Sequence, residues 1–99
     1  MPLTDKQLVA ALKAVADPTR LKVLRLLKQK GACSIGKPVG MCACDVEEHV
    51  KLSQPTISHH MAILKKAGLV HAEKNGLWTW YRRNEKSLKE LAQAMTGHL

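Results

Sequence analysis

Residues 52–69, LSQPTISHHMAILKKAGL, constrain the fold more than any other stretch. They spell one helix whose outer face is a poor fit for a core. Ser53 suits the N-cap, and Pro55 falls in the first turn, where a missing N–H costs least. Ile57, Met61 and Leu64 stand at i, i+4 and i+7 and form one apolar stripe. Gly68 follows Lys65 and Lys66, so the end pairs a C-cap glycine with basic residues that suit the helix dipole. Ser58, His59, Ala62 and Lys66 point away from the stripe, with Gln54 and Thr56 near the N-terminus. These side chains are short or hydrogen-bonding, and none is acidic. Such a surface suits the DNA major groove, where side chains meet base edges. The same pattern also fits an ordinary amphipathic helix with a solvated outer face, and periodicity alone leaves both readings open.

The stretches on either side read as further helices. Thr4 to Ala16 carries Thr4 and Gln7 in capping-box spacing, with Leu8, Leu12 and Val15 as its stripe. Asp17-Pro18 then supplies an N-cap and an N1 proline for a helix running to about Gln29. In that helix Leu21, Val23, Leu24, Leu26 and Leu27 cover most of the circumference, which predicts a central core helix. Arg20, Lys22, Arg25 and Lys28 form its solvated face, with phosphate contact by Arg20 or Lys22 as the alternative. Residues 31–41, GACSIGKPVGM, hold three glycines and a proline and read as a loop longer than helix connections usually need. Cys44 to Lys51 is a short third helix with Val46 and Val50 at i and i+4. Its tight junction at Leu52-Ser53 makes a helix-turn-helix with the stretch described first.

After Gly68 the pattern changes to LVHAEK, Asn75-Gly76, LWTWYRR. Asn-Gly is the favoured pair for a two-residue type I′ turn, so this is a hairpin turning at Asn75-Gly76. Trp78, Trp80 and Tyr81, the chain's only aromatics, lie on its second strand, where packing of Trp78 and Trp80 onto the helices is expected. Lys74, Arg82 and Arg83 make the hairpin basic, as befits a wing that grips phosphates or the minor groove. Asn84 caps a last helix to Met95, with Leu88, Leu91, Ala92 and Met95 as its stripe. That stripe packs either on the first helix or on a second copy.

The expected architecture is therefore mainly α with a small β hairpin, in the order α-α-α-α-β-β-α: a winged helix-turn-helix. At 99 residues the chain is one domain. Sixteen Lys and Arg against eight Asp and Glu give a net charge of +8, which favours a polyanionic partner. No apolar run nears the roughly 20 residues of a membrane span, and the N-terminus lacks signal-peptide character, so a cytoplasmic protein is expected. Three cysteines, Cys33, Cys42 and Cys44, are an odd count for a disulfide framework. Metal or redox chemistry is the functional alternative to simple buried thiols.

DPTRLKVLRLL (Asp17 to Leu27), MCACD (Met41 to Asp45), LSQPTISHHMAILKKAGLV (Leu52 to Val70) and the Asn-Gly hairpin followed by Tyr81-Arg82 resemble, in this order, the ArsR/SmtB family of metal-responsive repressors. The resemblance covers nearly the whole chain. It implies a homodimer held by the first and last helices, bound to an inverted-repeat operator and released by a toxic metal or metalloid. It places Gln54, Ser58 and His59 at DNA-facing positions, to which the residue reading adds Thr56 in the helix and Lys74 and Arg82 on the wing. It matches Cys42-x-Cys44-Asp45 to the family's thiolate site at the start of the third helix. The family's other site uses Asp and His pairs in the last helix, whereas this chain has Glu85, Glu90 and His98 there.

Soft thiolates select thiophilic ions, and a helix N-terminus favours the thiolate form. As(III) and Sb(III) typically take three thiolates. Many arsenic sensors of the family place the third cysteine three residues after the second, where this chain has Glu47. Cys33 is the substitute, reaching back along the loop or across from a partner subunit; otherwise it is a small apolar loop residue. His49 and Met41 are weaker donors. The expected function is a repressor that leaves its operator when As(III) or Sb(III) binds, with no organic cofactor. Cd(II), Pb(II) or thiol oxidation are alternative signals. A dithiol redox enzyme is the remote alternative, because the spacing is Cys-x-Cys and no parallel strand–helix unit surrounds it. No catalytic triad or phosphate loop marks an enzyme.

Overall fold

Thr4 opens the first helix with both halves of a capping box. The Gln7 amide donates to Thr4 Oγ1 at 3.1 Å, and the Thr4 amide donates to Gln7 Oε1 at 2.9 Å. The computed structural model describes residues 3–28, 41–75 and 78–99, and the side chains of these except 41–45, 75, 78 and 98. Its elements are α1 (Asp5–Val15), α2 (Pro18–Lys28), β1 (Met41–Cys42), α3 (Ala43–Val50), α4 (Gln54–Lys66), β2 (Val70–Asn75), β3 (Trp78–Arg83) and α5 (Glu85–His98). All five expected helices form, and the hairpin follows α4.

The sheet holds one more strand than the sequence pattern revealed. Its order is β1-β3-β2, antiparallel throughout, with β3 in the centre. In β1, Met41 pairs with Tyr81 and Cys42 with Trp80. Met41 is thus a strand residue and not the end of a loop. A two-residue strand carries no period of its own, and its pairing is fixed by partners forty residues away. The hairpin register also differs by one residue. Asn75 pairs with Trp78, so Asn75 belongs to the ladder and is not the first residue of a two-residue turn. Residues 76–77 lie outside the described residues.

The stripe of α4 is the centre of the core. Ile57, Met61 and Leu64 are almost completely buried, together with Val23, Val46 and Leu69. Each such side chain contributes about 1.5–3 kcal/mol by leaving water. The end of α4 is a complete Schellman motif: the Leu69 amide donates to the Leu64 carbonyl at 3.0 Å and the Gly68 amide to that of Lys65 at 2.9 Å. Gly68 has φ +79°, the left-handed conformation this motif requires. Asn84 then ties this corner to α5. Its Oδ1 accepts from the Ser87 amide at 3.2 Å, while its Nδ2 donates to the Gly68 carbonyl at 2.9 Å and its backbone N–H to that of Leu69 at 2.9 Å.

Three apolar faces are rotated from expectation. In α1 the buried residues are Leu8, Ala11 and Ala14, with Leu12 and Val15 only partly covered and Val9 exposed. In α2 Leu21 is exposed, so the helix is amphipathic and not apolar all round. In α5 Leu91 and Ala94 are buried, while Ala92 and Met95 are exposed. Trp80 is buried as expected; the side chain of Trp78 lies outside the described residues.

Lys51, expected inside the third helix, instead makes the turn between α3 and α4 with φ 59°. A Cβ added at Gly68 meets nothing within 4 Å, so a side chain there costs only backbone strain. Gly68→Ala is expected to lower stability by about 1 kcal/mol. Lys51→Gly, which relieves the same strain against a smaller entropic loss, is expected to raise it by about 0.5 kcal/mol. Urea denaturation of both variants measures the pair.

Candidate DNA-binding face

The outer surface of α4 stands clear of the protein. Gln54, Ser58, His59, Ala62 and Lys65 are exposed and Thr56 is half-buried. Ser53 is the N-cap residue by backbone geometry, but its side chain does not bond to the helix backbone. Its hydroxyl instead lies 2.9 Å from that of Thr56. With no acidic residue in the first turn, the N-terminal end of α4 presents a positive dipole end and small polar groups.

Between α4 and the hairpin lies an open cleft of about 310 Å³, lined by Ser58, Met61, Ala62, Lys65, Ala72, Lys74, Thr79 and Tyr81. Ser58, Ala62 and Lys65 fall at i, i+4 and i+7, and that spacing could have singled out Lys65. Tyr81 is buried at the cleft, and burial pushes its phenol above the ordinary range, so it stays neutral near pH 7. The structure thus brings Ser58 and Lys74 together. Gln54, Thr56 and His59 are not among the residues that line the cleft. Arg82 is exposed but pairs with His71, three residues along the ladder from the Lys74–Thr79 pair, and an odd step puts it on the other face of the hairpin.

Two arginines serve the fold instead of the surface. Arg83 Nη2 donates to Glu85 Oε1 at 3.0 Å and Nη1 to the Leu24 carbonyl at 3.4 Å. Its Nε is 2.9 Å from Glu85 Oε2, an ion-pair distance off the line of a hydrogen bond. Arg20, expected on a solvated face, is turned inward. Its Nε donates to the Ala14 carbonyl at 2.6 Å and its Nη1 to His60 Nδ1 at 3.1 Å. Asp17 Oδ2 accepts from the Arg20 amide at 3.0 Å, which caps α2 as expected. That amide, then the Arg20 charge, holds the Asp17 carboxyl below its ordinary value despite some opposing desolvation.

The cysteines are placed less completely. Cys42 closes β1 directly before α3, and Cys44 is the second residue of α3, so the pair straddles the helix start. Their side chains, and all of Cys33, lie outside the described residues. His49 is exposed near the end of α3. Among the described residues no group of three His, Cys, Asp or Glu side chains is arranged to hold a metal ion. No described helix is long and apolar enough to cross a membrane.

A helix-turn-helix followed by a β hairpin, with a helix exposed beside that hairpin, defines a winged helix-turn-helix of DNA-binding type. Residues 17–72 match the family of bacterial regulatory proteins named arsR, and the chain belongs to that family. It is a transcriptional repressor of the family, not an enzyme. It is 46% identical over 79 residues to an uncharacterised helix-turn-helix transcriptional regulator of Methanocaldococcus jannaschii, covering 80% of each chain. It is 41% identical over 91 residues to the arsenical resistance operon repressor of Staphylococcus aureus, covering 92% of this chain and 79% of that one. The crystal structure of an ArsR family transcriptional regulator superposes with a TM-score of 0.80 at 18% identity, over 99% of this chain and 92% of that one. A homodimeric winged helix-turn-helix domain from Mycobacterium bovis, solved by NMR, superposes with a TM-score of 0.72 at 23% identity, over 97% and 87%.

The lowered Asp17 value fixes a pH dependence. A carboxyl depressed in the folded state adds stability that is complete above the unfolded value of 3.8 and is lost as pH falls through the folded value. The stability advantage of the parent over Asp17→Asn is therefore expected to stay constant from neutral pH to about pH 5 and to shrink in stronger acid. Thermal melts of both proteins across that range check it.

Proposed function

We propose that this repressor binds an inverted-repeat operator as a homodimer and releases it when As(III) or Sb(III) binds Cys42 and Cys44, with Cys33 as the third thiolate. In this reading Gln54, Thr56, Ser58 and His59 meet base edges in the major groove. Lys74 and Arg82 hold phosphates from opposite faces of the wing, with Lys65 beside Lys74 in the cleft. In this reading the protein works in the cytoplasm, on double-stranded operator DNA.

One observation carries the sensing part. The Cys42–Cys44 segment is attached to both halves of the DNA-reading unit: β1 pairs with β3 of the wing at Trp80, and α3 leads through Lys51 directly into α4. A change at these thiols is therefore delivered to the helix and the hairpin at once. The donor set fits a soft ion, because two thiols separated by one residue can converge and a third would complete a pyramidal site. The bound metalloid would supply strong sulfur bonds; the chain's part is to hold the two sulfurs at the strand–helix junction. The similarity to the staphylococcal arsenical resistance repressor supports this choice of inducer. Exposed Val9, Met95 and Leu99 on or beside α1 and α5 support the dimer, as does the homodimeric mycobacterial neighbour.

Two tests follow. Arsenite is expected to weaken operator binding several-fold to about a hundredfold, the range of a 1–3 kcal/mol coupling. Cys42→Ser and Cys44→Ser should bind the operator normally and lose that response. Fluorescence anisotropy with a labelled promoter duplex measures both, and a full arsenite response in the serine variants rejects the site. Parallel titrations with Cd(II), Pb(II) and a thiol oxidant decide the inducer: a larger response to any of these displaces As(III) and Sb(III). Separately, Met95→Glu is expected to shift the protein from dimer to monomer in sedimentation velocity.

A further inference from the structure

A side-chain bond that joins α2 to α4 has no part in the function described so far. Arg20 Nη1 donates to His60 Nδ1 at 3.1 Å, across forty residues of sequence. The guanidinium is held from behind as well. Its Nε donates to the Ala14 carbonyl at 2.6 Å and its Nη2 reaches the Lys13 carbonyl at 3.5 Å, both in the last turn of α1. Carbonyls there lack partners within their own helix, so Arg20 completes α1 while it reaches α4. Its own amide is fixed by Asp17 at 3.0 Å. A planar fork gripped at three nitrogens has little freedom left, and it delivers one donor to a fixed place.

A guanidinium can only donate, so His60 Nδ1 is the acceptor in this bond. Asp17 Oδ2 lies 3.9 Å from the same Nδ1, beyond hydrogen-bond reach. The His60 ring is only partly exposed, and it meets the ring of His59 nearly edge-on, with centroids 5.7 Å apart and planes at 61°. His59 is exposed on the face proposed to enter the groove. A chain of fixed contacts thus runs from the α1–α2 corner through Arg20 and His60 to the base-reading surface.

We infer that Arg20 and His60 are positioning residues that hold α4 at the angle and depth needed to tell one DNA sequence from another. Phosphate contacts tolerate small movements because they depend on charge, whereas hydrogen bonds to base edges depend on direction and distance. Loss of the Arg20–His60 bond therefore harms discrimination more than affinity for DNA at large. The inference rests on the reading that α4 lies in the major groove.

The experiment uses a duplex selected by the parent protein from a random pool, and a scrambled duplex of equal length. Affinities for both are measured by anisotropy across a salt series. Thermal midpoints of each variant are recorded by circular dichroism. His60→Ala and Arg20→Lys are each expected to lower the selected-to-scrambled ratio about tenfold, the size of one mismatched base pair. The scrambled affinity and its salt slope should stay at parent values. His60→Asn, which keeps an acceptor near the place of Nδ1, is expected to restore the ratio. A parent-like ratio in His60→Ala overturns the inference. So does an equal loss on both duplexes that tracks a lowered thermal midpoint. Gln54→Ala and Ser58→Ala separate the two ideas. If neither changes the ratio, the groove reading itself fails; if they do and His60→Ala does not, only the positioning role is lost.

Discussion

Burial of one side of α4 is the constraint on which the remainder of the molecule depends. A helix that shows water a row of short polar groups gains almost no stability from that row. Its order must come from the side opposite, where Ile57, Met61 and Leu64 are packed by α1, α2, α3 and β2. Isolated helices of 13 residues are marginal in water, so α4 exists because the core holds it. The other helices can thus be read as supports that leave one surface uncovered. The Schellman turn at Gly68 and its bonds to Asn84 serve the same end, since they join the close of α4 to both the hairpin and α5.

What was legible in the sequence was whatever depends on near neighbours. Thr4 with Gln7, Asp17-Pro18, Gly68 and Asn84 each act within a few residues, and each lies where its local chemistry puts it. The stripe of α4 was legible for the same reason, being set by the helical repeat alone. What was not legible depends on distant partners. Two residues of β1 become a strand only because β3 is there to pair with them. Asn75 looked like a turn residue by composition, and the ladder took it because the register is set along the whole hairpin. The faces of α1, α2 and α5 rotated for a related reason: small residues such as Ala11, Ala14 and Ala94 are buried where helices approach closely, although hydropathy ranks Leu12, Leu21 and Met95 above them. The candidate site divides along the same line. Exposure of Gln54, Ser58 and His59 followed from periodicity, while the meeting of Ser58 with Lys74 across the cleft needed the fold.

The wing is more closely bound to the cysteine segment than a helix-turn-helix plus hairpin would require. With β3 central, the hairpin's second strand has two neighbours, one of them β1. Its inner face carries Tyr81, which is buried, and its last residue, Arg83, is tied to Glu85 and to the Leu24 carbonyl of α2. The base of the wing is therefore fixed to the helices. Ladder bonds of β1 connect that base to Cys42, and helix α3 connects Cys44 to the turn at Lys51. In the proposed reading a ligand between these two cysteines pulls on a strand and a helix that end in different parts of the DNA-reading unit. Such a junction responds to strain as a unit, because packed cores shift between arrangements and do not deform smoothly.

The charge of the chain also changes meaning once the fold is known. A net charge of +8 points to a polyanion, yet a total does not say which cations can reach it. Arg20 and Arg83 are engaged with carbonyls, a histidine and a carboxylate, so two of the sixteen basic residues serve structure. Lys65 and Lys74 share a cleft beside α4, and Arg82 takes the far face of the hairpin. A wing with cations on both faces can touch phosphates on either side of a groove, whereas one with a single basic face lies against one strand. Position, more than the size of the excess, is what makes this basic chain suited to straddle a groove. Arg20 and Arg83, each only partly exposed, tie α4 and the end of β3 to the helices beside them.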